Sequence, residues 1–131
     1  MISHVTLGTN DLERAAAFYE AVLGVLGAQP MMRSERGAGF GRSMEEPLVM
    51  VTKPFDERDA TVGNGTMIGL RCKDEAQARA VYEKAIEMGG TSEGEPGPRG
   101  DQGQFYGGYF RDLDGNKLAA FTMRAPKQAE A

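Results

Sequence analysis

The chain has 131 residues, 15 basic and 19 acidic side chains for a formal net charge of −4, 40% hydrophobic residues and 26% charged ones. Those figures fit a single globular domain with a proper core, and no apolar run approaches the roughly 20 residues that a bilayer-crossing helix needs. The basic residues are scattered, which argues against nucleic acid as a partner. Cys72 is the only cysteine, so no intramolecular disulfide forms, and with no leader pattern at the start the expected compartment is the cytoplasm.

Residues 2–8, "ISHVTLG", alternate apolar and polar side chains and predict a strand. Asn10 or Asp11 then caps a helix, whose apolar positions Leu12, Ala15, Ala16, Tyr19, Val22 and Leu23 recur at helical spacing up to Gly24. Strands are expected near 27–34, 37–43 and 47–53. A polar linker over about 54–64 follows. The second half opens with a strand at 65–72, "GTMIGLRC", and an Asp74-capped helix carrying Ala78, Val81, Tyr82, Ala85 and Ile86. Gly89 and Gly90 stop that helix. Further strands are expected near 91–94, 104–112 and 117–123, with "GEPGPRGDQG" (94–103) as a long loop bordering a site. The tail, 124–131, loses all apolar pattern and is expected to fray.

The second half repeats the first. "NDLERAAAFYEAVL" (10–23) aligns without gaps to "KDEAQARAVYEKAI" (73–86), placing Tyr19 on Tyr82, Glu20 on Glu83 and His4 on Met67. The fold class is therefore α+β, two tandem βαβββ modules in one domain: module one over about 1–53 and module two over about 65–123. Two such sheets facing each other around a pseudo-two-fold axis would leave a cup between them.

The strand with an early histidine, the "FYE" helix and the closing "YFRDLDGNKLAAF" resemble the vicinal oxygen chelate superfamily, which includes glyoxalase I, bleomycin-resistance proteins and extradiol dioxygenases. The resemblance covers roughly residues 2–123. It implies paired βαβββ modules, a homodimer, and a divalent metal at the bottom of the cup. The implied ligand positions are one on the first and one on the last strand of each module. Here they carry His4, a residue near Val49, Met67 and Ala119. A catalytic site for Zn, Fe, Mn or Ni needs about three nitrogen, carboxylate or thiolate ligands. Only His4 qualifies, so no metal and no other cofactor is expected.

Several other residues are candidates. His4 is the only histidine; it either acts as an acid, base or ligand contact, or is a retained strand residue satisfied by a hydrogen bond. Tyr106 and Tyr109 lie on opposite faces of one strand, so one of them presents a hydroxyl to the cup; Tyr106 is taken as the catalytic partner of His4. Arg42 and Arg111 fall on equivalent strands and suggest a carboxylate clamp. Arg99 and Asp101 are candidate gates, and Cys72 reads as a packed thiol. "DLDGN" (112–116) is a tight turn and not a calcium loop, because no bidentate glutamate follows. "GAGFG" (37–41) is not a dinucleotide fingerprint. The expected function is metal-independent binding of a small, mostly apolar molecule in the cup. Val49, Met67 and Ala119 would line that cup, with His4, Tyr106, Tyr109, Arg42 and Arg111 around them. A metal-dependent glyoxalase-like lyase or dioxygenase is the second reading. An interaction protein with a collapsed cup, filled by Met67, is the third.

Overall fold

In the computed structural model, residues 1–124 are described. The chain runs β1 (His4–Gly8), α1 (Leu12–Gly24), β2 (Gln29–Arg33), β3 (Gly37–Gly41), β4 (Leu48–Thr52), β5 (Ile68–Arg71), α2 (Glu75–Glu87), β6 (Thr91–Arg99), β7 (Phe105–Arg111) and β8 (Lys117–Met123). Two separate four-stranded sheets result, ordered β1-β4-β3-β2 and β5-β8-β7-β6. In each, the first strand pairs parallel to the last and the remaining pairs are antiparallel. This is the α+β arrangement of two βαβββ modules that the repeat predicts. The expected frayed tail lies, from residue 125 on, outside the described residues.

Both helices start as their sequences dictate. Asp11, rather than Asn10, accepts from the Arg14 amide at 3.1 Å, and Asp74 accepts from the Gln77 amide at 2.8 Å. Each carboxylate satisfies a backbone N–H that the first turn leaves free and sits at the positive end of the helix dipole. Helix α1 ends at Gly24, where its stop is expected. The chain turns at Gly27, whose φ of 82° is open to glycine, and the Ala28 amide returns to the Leu23 carbonyl.

The region expected as a loop over 94–103 is a correction. Strand β6 continues to Arg99, with register shifts between Ser92 and Gly94 and between Gly94 and Gly97. Pro96 and Pro98 are tolerated because β6 is the edge of its sheet, where a missing N–H removes no ladder bond on the outer side.

One face of each sheet is covered by its own helix, and the two helices pack on each other. A single core results, running from Leu7, Phe18, Val22, Phe40 and Val51 through to Val81, Phe110 and Leu118. The β7–β8 turn locks the modules together. The Tyr19 hydroxyl of α1 donates to the buried Asp112 carboxylate. Asp112 also accepts from the Asn116 amide at 2.8 Å, its Nδ2 at 2.9 Å and the Asp114 amide at 2.9 Å. Asn116 Nδ2 donates in addition to the Gly8 carbonyl at 2.9 Å, and the Asn10 amide donates to Asp114 Oδ1 at 2.9 Å. "DLDGN" is thus a turn, as expected, and also the joint between the two halves. The linker is pinned by Asn10, which exchanges two hydrogen bonds with the Ala60 backbone.

Candidate functional site

Side chains alternate between the two faces of a strand, so the register decides which of them lie opposite the helix. In module two the core-facing set is Ile68, Leu70, Leu118, Ala120, Tyr106 and Phe110. The open face therefore carries Gly69 and Arg71 of β5, Phe105, Gly107, Tyr109 and Arg111 of β7, and Lys117, Ala119 and Phe121 of β8. Ala119 is buried yet lies outside the core cluster, as this placement requires. A cavity of about 320 Å³ sits over this face, lined by Met67, Gly69, Arg99, Phe105, Tyr109, Ala119 and Phe121 among others. Its floor is aromatic: Phe105 and Phe121 meet edge-on at 6.5 Å.

In module one the open face carries His4, Thr6, Leu48, Met50 and Thr52, with the glycines of β3 beneath them. A side chain at Gly37, Gly39 or Gly41 would meet Thr52, Met50 and Leu48 respectively, so those three side chains lie across the glycine stripe. A second cavity, about 310 Å³, is bordered there by Met32, Arg36, Met50, Thr52 and Phe55.

The structure brings together some of the predicted residues and separates others. Met67 and Ala119 share the module-two cavity with Tyr109. Met67 is 45% exposed and stands at the rim, so it does not fill that space. His4 is exposed on the open face of module one, with Ser3 Oγ 2.5 Å from its Nδ1. Val49 is corrected: it pairs with Val5 and Phe40 and packs on the core side of its sheet. The alternation puts its neighbour Met50 on the open face. Thr6 pairs with Met50 as Gly69 pairs with Ala119, so Met50 is the counterpart of Ala119.

Tyr106 is corrected too. It faces α2, its hydroxyl accepts from Arg79 Nη2 at 2.6 Å, and it belongs to the core; Tyr109 is the tyrosine on the open face. The carboxylate clamp also fails. Arg42 lies in the turn after β3, held by both oxygens of Glu46 at 2.8 and 3.1 Å. Arg111 belongs to β7 and pairs with Glu93 at 2.8 Å, whose carboxyl it holds below the usual range by hydrogen bond and charge. The positional counterpart of Arg42 is Asp112, one residue past the strand in each module.

Cys72 is buried and its thiol is pushed up to about 11, chiefly by burial, which fits a packed thiol. Asp101 lies in the exposed turn after β6 and contacts no other candidate group in the hydrogen-bond or ion-pair network. Arg99, a candidate gate, lies on this face, and one residue, Lys117, escaped the sequence reading. Lys117 Nζ and the Arg99 guanidinium carbon lie 5.4 and 5.5 Å from the centre of the Tyr109 ring. Strand parity from Tyr109 and Ala119 would have placed Lys117 on this face had its partner strand been known.

The expected cup is also revised. The two cavities over the open faces are each lined by strands of one module alone. A cavity of about 350 Å³ does involve both modules, but Leu23, Leu26, Phe40 and Leu70 put it at the helical seam. The positions implied for a divalent metal hold one imidazole (His4), two thioethers (Met50 and Met67) and one methyl group (Ala119), a set that does not fit the hard divalent ion implied. Among the described residues no three His, Cys, Asp or Glu side chains converge elsewhere. No helix there is long and apolar enough to cross a membrane.

The comparison with known proteins follows the fold. Residues 1–120 match the family profile described as "Glyoxalase/Bleomycin resistance protein/Dioxygenase superfamily". A glyoxalase/bleomycin resistance protein from Albidiferax ferrireducens is 35% identical, with a TM-score of 0.86 over 95% of this chain and 99% of that one. A glyoxalase/bleomycin resistance protein/dioxygenase family enzyme from Burkholderia phytofirmans is 18% identical, with a TM-score of 0.74 over 93% and 98%. Lactoylglutathione lyase from Agrobacterium tumefaciens is 21% identical, with a TM-score of 0.67 over 93% and 92%. Those last two show likeness of fold alone. Among curated proteins none matches the chain in sequence.

Proposed function

Since the chain belongs to the glyoxalase/bleomycin resistance protein/dioxygenase superfamily, we propose that it binds a small, mostly apolar molecule on its open sheet faces without a divalent metal. The observation that carries this reading is the donor set: His4, Met50, Met67 and Ala119 offer one hard-metal ligand where about three are needed. The space a ligand needs is still there, over Phe105, Tyr109 and Phe121.

The working unit is a homodimer. β1 and β5 are unpaired sheet edges, and Met67 and Met123 are large apolar side chains exposed beside the open face of module two. Unpaired edges and exposed apolar residues favour covering by another chain. Placing module one of one chain over module two of its partner closes two half-cups into two whole ones. His4 and Met50 then face Met67, Tyr109 and Ala119, and His4 and Tyr109 are the polar groups that orient the ligand.

Elemental analysis of the purified protein and thermal shift with Zn²⁺, Ni²⁺ and Mn²⁺ test the metal-free reading. The wild type should carry no stoichiometric metal and show no shift. The double variant Met67→His, Ala119→Glu restores ligands and should be stabilised, by about 2.7 kcal/mol at a hundredfold excess over the dissociation constant. Stoichiometric metal in the wild type, lost with His4→Ala, would overturn the reading in favour of the lyase or dioxygenase. Sedimentation velocity should give a dimer.

A further inference from the structure

The chain is acidic overall, yet the open face of module two is cationic. Arg71, Arg99 and Lys117 stand on or beside it, and among the described residues none of them has a carboxylate within ion-pair distance. The acid that reaches this face, Glu93, is taken by Arg111. Directly across the strands, Arg71 is paired with Phe121 and Lys117 with Arg111. Arg99 is held without any acid: Nη2 donates to the Glu95 carbonyl at 2.5 Å, Nη1 to the Pro98 carbonyl at 3.3 Å, and the guanidinium lies over Tyr109. Carbonyl dipoles and a ring face fix a cation in place without neutralising it. Lys117 meets the same ring at 5.4 Å.

Beneath these charges the floor is apolar, with Phe105 and Phe121 set edge to face. Phe105, Tyr109 and Phe121 supply ring surfaces, while Gly69, Gly107 and Ala119 keep the space above them open. The volume of about 320 Å³ is that of a small-ligand site. The opposite half-cup differs: its strand residues His4, Thr6, Leu48, Met50 and Thr52 carry no fixed charge, and two of the cations at its border, Arg33 and Arg36, are paired with Glu13 and Glu57.

We propose that this cavity selects an aromatic carboxylate. The ring system packs against Phe105 and Phe121, and the carboxylate is received by Arg99, which lines the cavity, while Lys117, on the neighbouring rim beside Tyr109, adds positive potential. This rests on the small-molecule reading above and narrows it to an anionic ligand class. Charge complementarity provides the selectivity, and the aromatic floor provides most of the contact area.

The test uses three probes of one shape: 2-naphthoate, the neutral 2-naphthamide and the cationic 2-naphthylmethylammonium, each titrated calorimetrically into the full-length protein. Naphthoate should bind about tenfold more tightly than the amide, and the ammonium compound most weakly. Arg99→Gln and Lys117→Gln should each weaken naphthoate by about two- to fivefold and leave the amide unchanged. Arg99→Lys should keep most of the preference. Tyr109→Ala should weaken both probes, whereas Arg58→Gln in the exposed linker should affect neither. Circular dichroism of each variant checks its fold. Equal binding of naphthoate and amide would overturn the anionic selectivity and leave small-molecule binding standing. Tighter binding of the ammonium compound would do the same. No binding of any probe would overturn the aromatic-carboxylate assignment, while the small-molecule reading stands or falls on the metal and thermal-shift tests above.

Discussion

The two modules share an element order, an aspartate cap and a helical tyrosine, and they use that tyrosine differently. Tyr19 reaches out of its module and donates to Asp112 in the opposite β7–β8 turn. Tyr82, its counterpart, stays at home and bonds the Ser92 hydroxyl at 2.5 Å. The residue matching Asp112 in module one is Arg42, turned toward its own Glu46. One half of the pseudo-symmetric joint is thus a buried hydrogen-bond network, and the other is an exposed ion pair beside the cavity at the seam. The caps and core positions, which any βαβββ unit needs, remain matched. Surfaces between modules and on the open faces have diverged, because nothing in the module's own folding constrains them.

The largest expected effect comes from breaking the tied half of that joint. Asp112→Ala strands the Tyr19 hydroxyl and the Asn116 amides in a buried place, and urea unfolding should show a loss of about 3 kcal/mol. Arg42→Ala, its mirror image, removes an exposed pair and should cost less than about 1 kcal/mol. Similar losses from the two variants would erase the asymmetry.

A smaller contrast concerns the glycines under the open faces. A methyl group at Gly107 would lie 2.4 Å from the Ala120 carbonyl oxygen and 2.7 Å from Phe121 Cβ, atoms that cannot step aside. Gly107→Ala should therefore destabilise by about 1–3 kcal/mol. The same change at Gly39 meets the far end of Met50, which can swing away, so its thermal unfolding should shift much less. An equal shift would mean that Met50 is locked in place.

The smallest effect is a pH dependence. Burial first, then the charges of Asp112 and Asp114, raise the Tyr19 hydroxyl well above the ordinary tyrosine range. Cys72 is pushed up to about 11 from an ordinary 9.0, mainly by burial. Both groups hold their protons more tightly in the folded state than in the unfolded one. Their contribution is complete below about pH 9 and is lost as the pH rises, Cys72 ceasing to add to the loss above about 11. Denaturation midpoints from pH 8 upward should fall, and less steeply in Tyr19→Phe; an unchanged slope would place the alkaline loss elsewhere.

Much of this molecule is legible as pattern. Alternation located the strands, short carboxylates located both helix starts, and the gapless repeat set His4 against Met67. These are local properties, carried by spacing along a continuous stretch. Strand β6 was missed beyond residue 94 because glycine and proline read as a loop unless the strand is known to be an edge. Tyr106 and Tyr109 could be assigned to opposite faces by parity alone, but which face the helix covers is settled by α2 and by Arg79.

The amino-acid sequence by itself therefore determined two βαβββ modules and their caps. Tertiary structure alone decided that Met50 and not Val49 stands opposite Ala119. The β3–β4 and β7–β8 turns differ in length, and one residue of difference reverses a side chain's face. It also decided that helix packs on helix within the chain, leaving both sheets open. That choice depends on the Tyr19–Asp112–Asn116 joint, whose partners lie 93 positions apart in sequence and meet only in the folded chain.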